Sequence, residues 1–202
     1  MELGLKVYDI LEVKSTLKTY FDKELPTWAT EFVEKVPYVV VKRGEEKTGM
    51  VPIGIRGTTR QQRFGCYMRQ DNILQIYKPY ELIECESNCS IWNEVAQLLA
   101  IIFETYSDRI AYGPTGSVGF ELASGYEATT NSSDLDLFIQ PIQPLEIEVS
   151  KKILEQLLEI NAKMDVTLET PIGYVALEEY CNGQAPYLVK TNKGELLVEK
   201  LY

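Results

Sequence analysis

Histidine is absent from this 202-residue chain. Its absence excludes Ser-His-Asp and Cys-His catalysis, both of which need an imidazole to take and return a proton. It also removes the commonest partner of cysteine in zinc sites. Acid–base work must then fall to carboxylates, lysine, tyrosine or metal-bound groups. Cysteine is scarce, with Cys66, Cys85, Cys89 and Cys181 the whole set. Cys85 and Cys89 have loose metal-like spacing, but no second pair or histidine exists to complete a tetrahedral site. Reduced, mostly buried thiols are expected. No apolar run approaches the ~20 residues that span a bilayer. The opening stretch, Met1-Glu-Leu-Gly-Leu-Lys-Val-Tyr-Asp9, carries acids where a secretory leader has a basic start and an apolar core. These features predict a cytoplasmic protein without a membrane partner. Positive charge is also short: 20 basic residues against 30 acidic give a net charge of −10, which excludes nonspecific binding to a nucleic-acid polymer.

The chain is long enough for one large domain or two small ones, and its 45% hydrophobic content is ordinary for a globular protein. Its charge is uneven. Lys42, Arg43, Lys47, Arg56, Arg60, Arg63 and Arg69 face only Glu45 and Glu46 in that segment, a local +5 that leaves −15 on the remainder. A basic segment in an acidic protein suits a defined anionic ligand, although scattered arginines on a solvated strand pair would give the same count.

Residues 1–84 read as a strand-rich N-terminal domain carrying this basic patch. A short helix is predicted from Pro26 to Lys35 with Thr27 as its cap. Tyr38–Val41 and Met50–Ile55 form a hairpin around Glu45–Gly49, and strands are expected at Phe64–Met68 and Ile73–Tyr77. Residues 85–202 read as a second domain. Ser90–Tyr106 is predicted helical, with Ile91, Val95, Leu98, Leu99, Ile102 and Phe103 as its apolar stripe. Ile110–Tyr112 is a strand, Val118–Ser124 a helix and Gly125–Ser133 a polar loop. Leu135–Gln140 is expected as the central strand. A helix at Pro144–Ala162 buries Ile147, Ile153, Leu154, Leu157, Leu158 and Ile160. The strand Met164–Thr170 and a final hairpin turning near Asn192–Gly194 complete the reading.

Two segments carry chemistry. In Ser133-Asp-Leu-Asp-Leu137, Asp134 and Asp136 are two positions apart, so an extended chain puts both carboxylates on one face and the neighbouring leucines on the other. Like charges on one face are costly unless a cation sits between them, and Mg²⁺ shared with substrate phosphates meets that need. Upstream, Gly113-Pro-Thr-Gly-Ser-Val-Gly119 offers backbone N–H groups and a hydroxyl at Gly116 and Ser117, ahead of a helix N-terminus, a combination suited to phosphate. A third acid, Asp165, lies in the next predicted strand. Glu169 falls on the same face by alternation and is a weaker metal candidate, or a surface carboxylate. Tyr112, Phe120, Tyr126 and Tyr174 could stack on a base, though core packing suits most aromatics equally.

The order Gly-Ser turn, helix, Asp-x-Asp strand, helix, Asp strand resembles the nucleotidyltransferase fold. That implies an α+β architecture, a mixed sheet with flanking helices, beside the smaller strand-rich domain. A closer resemblance rests on Val51-Pro-Ile-Gly-Ile-Arg-Gly57, Arg60-Gln-Gln-Arg-Phe64, Gly113-Pro-Thr-Gly-Ser-Val-Gly-Phe-Glu-Leu-Ala-Ser-Gly125, Ser133-Asp-Leu-Asp-Leu137 and Asp165-Val-Thr-Leu-Glu-Thr-Pro-Ile-Gly173. From about Trp28 onward the chain is similar to the malonate decarboxylase holo-acyl-carrier-protein synthases, which are phosphoribosyl-dephospho-CoA transferases. One departure stands out: where that family commonly has a His-Asp pair, the similar stretch here is Val7-Tyr-Asp-Ile-Leu11, with Tyr8 at the histidine position.

The resemblance implies transfer of a prosthetic group from 2′-(5″-triphosphoribosyl)-3′-dephospho-CoA to a serine of the apo acyl-carrier subunit of malonate decarboxylase, with loss of pyrophosphate. Asp134 and Asp136 would hold one or two Mg²⁺ ions, and Asp165 would complete the metal site or act as base. Gly116 and Ser117 would hold phosphates, with Arg56, Arg60 and Arg63 binding phosphate or the acidic carrier. Three rival readings remain open. One is a citrate lyase holo-carrier synthase. Another is a nucleotidyltransferase that uses ATP on a protein or small molecule. The third is a non-catalytic carrier-binding module, against which the retention of all three aspartates argues.

Overall fold

The computed structural model describes residues 4–14, 21–85, 88–130, 132–160 and 163–202. The expectations at the opening residues 1–3 and at the end of the Pro144–Ala162 helix (residues 161–162) lie outside them, as does position 131 of the polar loop.

Alternating burial explains the first sheet. In β3 (Met50–Arg56), Val51, Ile53 and Ile55 are buried while the residues between them are half-exposed. It pairs with β2 (Tyr38–Val41) and with β4 (Arg63–Arg69), both antiparallel. β5 (Ile73–Tyr77) joins the sheet through β1 (Ile10–Val13), giving the order β4-β3-β2-β1-β5. The sequence reading did not anticipate β1, a four-residue strand with a bulge between Glu12 and Val13. One face of this sheet packs Leu11, Val39, Ile53 and Ile55 against Ala29 and Val33 of α1 (Thr27–Lys35). Thr27 does not cap that helix. It is the first helical residue, and the Pro26 carbonyl accepts the amides of Ala29 and Thr30 instead.

The second sheet has six strands: β6 (Ile110–Pro114), β7 (Leu135–Pro141), β8 (Met164–Glu169), β9 (Tyr174–Ala176), β10 (Tyr187–Thr191) and β11 (Gly194–Val198). They lie in reverse chain order, and only β7 and β8 are parallel among the described pairings. β7 is therefore next to the edge strand β6, not central as the sequence suggested. The crossover that a parallel pair requires is α4 (Ile147–Leu158). The chain is thus an α+β protein built on two sheets.

Helices α2 (Ser90–Glu104), α3 (Gly116–Ser124), α4 and α5 (Leu177–Asn182) join a core with Leu135, Leu137, Ile139, Leu168 and Val175 from one face of the second sheet. Two residues of the predicted stripes lie outside it. Leu98 is 49% exposed and Leu158 74% exposed, while Trp92, which the periodicity passed over, is buried. This core crosses between the sheets, because Ile10, Phe32 and Val36 belong to it. Phe32 meets Tyr126 edge-on at 5.2 Å. No helix among the described residues is long and apolar enough to cross a membrane.

Between the sheets, the 3₁₀ turn Pro79–Glu84 crosses β6 at Gly113, where an added Cβ would lie 1.9 Å from the Pro79 carbonyl oxygen. Backbone meets backbone there, and only glycine fits. Gly113→Ala is expected to cost about 1–3 kcal/mol or more, read as a lowered urea midpoint. An unchanged midpoint would mean that the turn can lift off the strand without loss.

Candidate active site

The face of the second sheet opposite the core carries the chemistry. In the parallel pair Asp136 stands directly against Asp165, and Phe138 against Thr167. Asp134 precedes β7 by one residue. Along this face the rows run from Asp136 and Asp165 through Phe138 and Thr167 to Gln140 and Glu169. Asp136 is half-buried and Asp165 exposed.

The glycine-serine turn closes on the first row. β6 ends at Pro114, Thr115 precedes the first residue of α3, and the Thr115 amide donates to the Asp136 carbonyl at 2.8 Å. Gly116 has φ +59°, and a Cβ there would sit 1.8 Å from Asp136 Oδ2. Glycine is required twice over, for the left-handed backbone and for the space its hydrogen leaves to the carboxylate. Thr115 makes no side-chain cap bond to the first turn of α3, and this helix N-terminus lies beside the Asp136 carboxylate.

Burial, and then the charges of Asp165 and Asp134, push the Asp136 carboxyl above the usual range, while Arg60 opposes them. The three aspartates therefore share one electrostatic neighbourhood, and Arg60 reaches it from the β3–β4 turn. Gln62 shapes that turn: its carbonyl accepts the Gly57 amide, and its side chain accepts from Thr58 and Thr59.

The other two arginines differ in role. Arg56 and Arg63 are directly paired across the hairpin, a like-charge pair that suits an anion nearby. Arg63 lies with Arg60, and loss of hydration followed by that neighbour's charge lowers its pKa. Arg56 is tied down: its guanidinium donates to the Ala128 carbonyl at 3.0 Å and lies 5.0 Å from the Phe120 ring centre. Burial and then the Arg63 charge bring its pKa down to about 10.

The opposite end of the same peptide is held by Glu121. This buried carboxylate accepts the amides of Ala128 and Thr129 and the Thr129 hydroxyl at 2.8–2.9 Å. Glu121 and Arg56 thus fix the loop that delivers Asp134. Sequence reasoning gave Glu121 no role, and an acid within the apolar run Val118–Ala123, four residues before the polar loop, was the available signal.

Glu169 is engaged away from the first row, by Lys6 at 3.0 Å and by Gln140. The aromatic candidates pack internally. Tyr112 stacks on Phe103, Phe120 is fully buried, and Tyr126 meets Phe32. Tyr174 contacts Tyr8 and Phe138.

Two family models cover nearly the whole chain. The phosphoribosyl-dephospho-CoA transferase MdcG N-terminal domain matches residues 6–79, and the MdcG C-terminal domain matches residues 82–201. This chain belongs to the phosphoribosyl-dephospho-CoA transferase family. Its relatives include the phosphoribosyl-dephospho-CoA transferase of Azotobacter vinelandii, 33% identical over 95% of this chain and 91% of that protein. The Pseudomonas putida protein of the same name is 35% identical over 87% of this chain and 85% of its own length. That of Pseudomonas aeruginosa is 30% identical, covering 89% and 86%. No solved structure matches the chain significantly.

For a transferase of this family, the donor set at the aspartates is all oxygen, which suits a hard divalent cation. Among the described residues no group of three or more His, Cys, Asp or Glu side chains is placed to hold a metal ion by itself. Mg²⁺ does not ask for one, since it is held by one or two carboxylates together with substrate phosphates. The residues present fit such an ion.

A carboxyl raised on folding binds its proton more tightly in the folded than in the unfolded chain. It therefore withdraws stability as pH climbs from the ordinary carboxylate range through its folded value. Asp136→Asn is expected to melt higher than the parent protein at neutral pH in metal-free buffer, with the gain vanishing in acid. Calorimetry at the two pH values reads this directly. A variant melting at or below the parent at neutral pH would show that the surroundings stabilise the charged carboxylate.

Proposed function

We propose that this chain transfers the phosphoribosyl-dephospho-CoA group from 2′-(5″-triphosphoribosyl)-3′-dephospho-CoA to a serine of the apo acyl-carrier subunit of malonate decarboxylase, releasing pyrophosphate. The proposed framework is a nucleotidyltransferase-type arrangement: Gly-Ser turn and helix, Asp-x-Asp strand, crossover helix, Asp strand. Family membership supports the group transferred. The observation that carries the mechanism is the register of β7 on β8, which sets Asp136 beside Asp165 in front of the Gly116–Ser117 turn.

In this reading the serine oxygen attacks the α-phosphorus, the bond from that phosphorus to the bridging oxygen breaks, and pyrophosphate leaves in line. Asp165, the exposed member of the pair, accepts the serine proton or shares in metal binding. The N–H groups at Gly116 and Ser117 and the Ser117 hydroxyl hold the β- and γ-phosphates. Arg60, already coupled to Asp136, neutralises the triphosphate, and Arg63 extends that positive field. Arg56 contributes through the Ala128 loop it holds in place. Asp134, Asp136 and Asp165 would hold one or two Mg²⁺ ions, whose charge would offset that on the phosphate oxygens of entering and leaving groups.

An acidic enzyme meeting an acidic carrier needs local positive charge for productive encounter. The segment from Lys42 to Arg69 supplies it.

Intact-mass measurement tests the reaction. The protein is incubated with the donor, Mg²⁺ and the apo carrier of malonate decarboxylase, with the citrate lyase carrier in parallel. A mass gain equal to the transferred group is expected on the first carrier. Its rate should fall by several orders of magnitude in Asp134→Asn, with the fold intact by circular dichroism. A gain on the citrate lyase carrier alone would reassign the acceptor. Near-parental rates in Asp134→Asn would remove that residue from the metal site.

A further inference from the structure

Beside the carboxylate face lies a groove of about 480 Å³, within the range of small-molecule sites. It is walled by Lys42 and Arg43, just past β2, by Val7 and Tyr8 of the N-terminal turn, and by Thr191 and Asn192 at the β10–β11 turn. Neither Lys42 nor Arg43 has a side-chain hydrogen bond or ion pair among the described residues. Two cations without an anionic partner, Arg43 beside Tyr8 and Lys42 with its ammonium leaning over Gly65 of β4, flank this valine-lined groove and present a surface for an elongated anion.

Tyr8, which lines the groove, also packs on the face that carries the aspartates. Its hydroxyl lies near the Thr167 side chain, and its ring packs on Phe138 at 5.3 Å and Tyr174 at 5.6 Å. Thr167 is two residues along the same strand face from Asp165, about 7 Å away. Tyr8 feels the charges of both Arg43 and Asp136. Its backbone has φ +78°, unfavourable for a bulky residue, and is over-determined by its surroundings. The Tyr8 amide bonds the Val41 carbonyl at 3.0 Å. Next to it, the buried Asp9 accepts the Lys6 amide at 2.7 Å and Lys78 Nζ at 2.6 Å.

We propose that this groove is a second anion subsite, taking the linear diphosphate arm of the donor while the donor's triphosphate end sits at the aspartates. Lys42 and Arg43 hold the diphosphate, Val7 and the neighbouring valines lie along the chain beyond it, and Tyr8 marks where the two subsites meet. The assignment rests on the transfer reaction proposed above. A groove walled on both sides by the first sheet and the β10–β11 hairpin admits a chain-like ligand, whereas a carrier protein would need an open face.

Two probes separate the subsites: 3′-dephospho-CoA, which carries the diphosphate arm without the triphosphate, and inorganic pyrophosphate with Mg²⁺. Calorimetry on the full chain should show that Lys42→Gln/Arg43→Gln weakens 3′-dephospho-CoA binding at least about tenfold and leaves pyrophosphate binding unchanged. Single variants should each show part of the loss. Equal affinity of parent and double variant for 3′-dephospho-CoA would overturn the groove, as would no saturable binding to the parent. So would a raised KM for the carrier with the donor KM unchanged. Failure of the transfer reaction itself is seen separately, as no mass gain on either carrier, and leaves the binding comparison readable.

Discussion

β7 and β8 run side by side in one direction, and that pairing sets Asp136 against Asp165. Almost everything around the site follows from it. A parallel pair cannot be joined by a tight turn, so the chain must cross over, and α4 makes the crossing against Leu137, Ile139 and Leu168 on the core face. The other face is left free for polar side chains. Because strand side chains alternate, a slip of one residue in either strand would send a carboxylate into the core and a leucine out of it. The hydrophobic requirement of one face thus enforces the placement of the acids on the other. The repulsion between them is the residual cost, visible in the raised Asp136 carboxyl.

The first sheet is a working part of this arrangement. Its turn beyond β3 brings Arg60 to the acids, and the end of β3 sends Arg56 to the loop before β7. From the other side, the Lys6–Asp9 turn lies over the free face, with Lys6 on Glu169 and Tyr8 among Phe138, Thr167 and Tyr174. An acidic sheet face is flanked by cations that the same chain supplies from a separate sheet. The shared core through Ile10, Phe32 and Phe120 holds the two in register.

The parts legible in the sequence were those with a local cause. Asp134 and Asp136 share a face because strands alternate, and Gly116 precedes a helix because of the residues around it. Most strands followed from β-branched runs. What escaped depends on distant neighbours. β1 is four residues long and is a strand because β2 and β5 flank it, not because of its composition. Leu98 and Leu158 fit helical periodicity, yet both side chains lie exposed. Arg56 reads as one more phosphate ligand until Ala128 and Phe120 are seen beneath it. The positive φ of Tyr8 has no signature in its residue type, since a tyrosine is among the least expected there.

Glu121 and Arg56 grip opposite ends of one peptide group: the amide of Thr129 on the carboxylate, the carbonyl of Ala128 on the guanidinium. A peptide plane held at both poles cannot flip, and a loop anchored at such a plane loses most of its torsional freedom on that side. The ordering entropy of the approach to Asp134 is therefore expended once, when the chain folds. It is not charged again each time a substrate arrives, so binding free energy remains for aligning the reacting atoms.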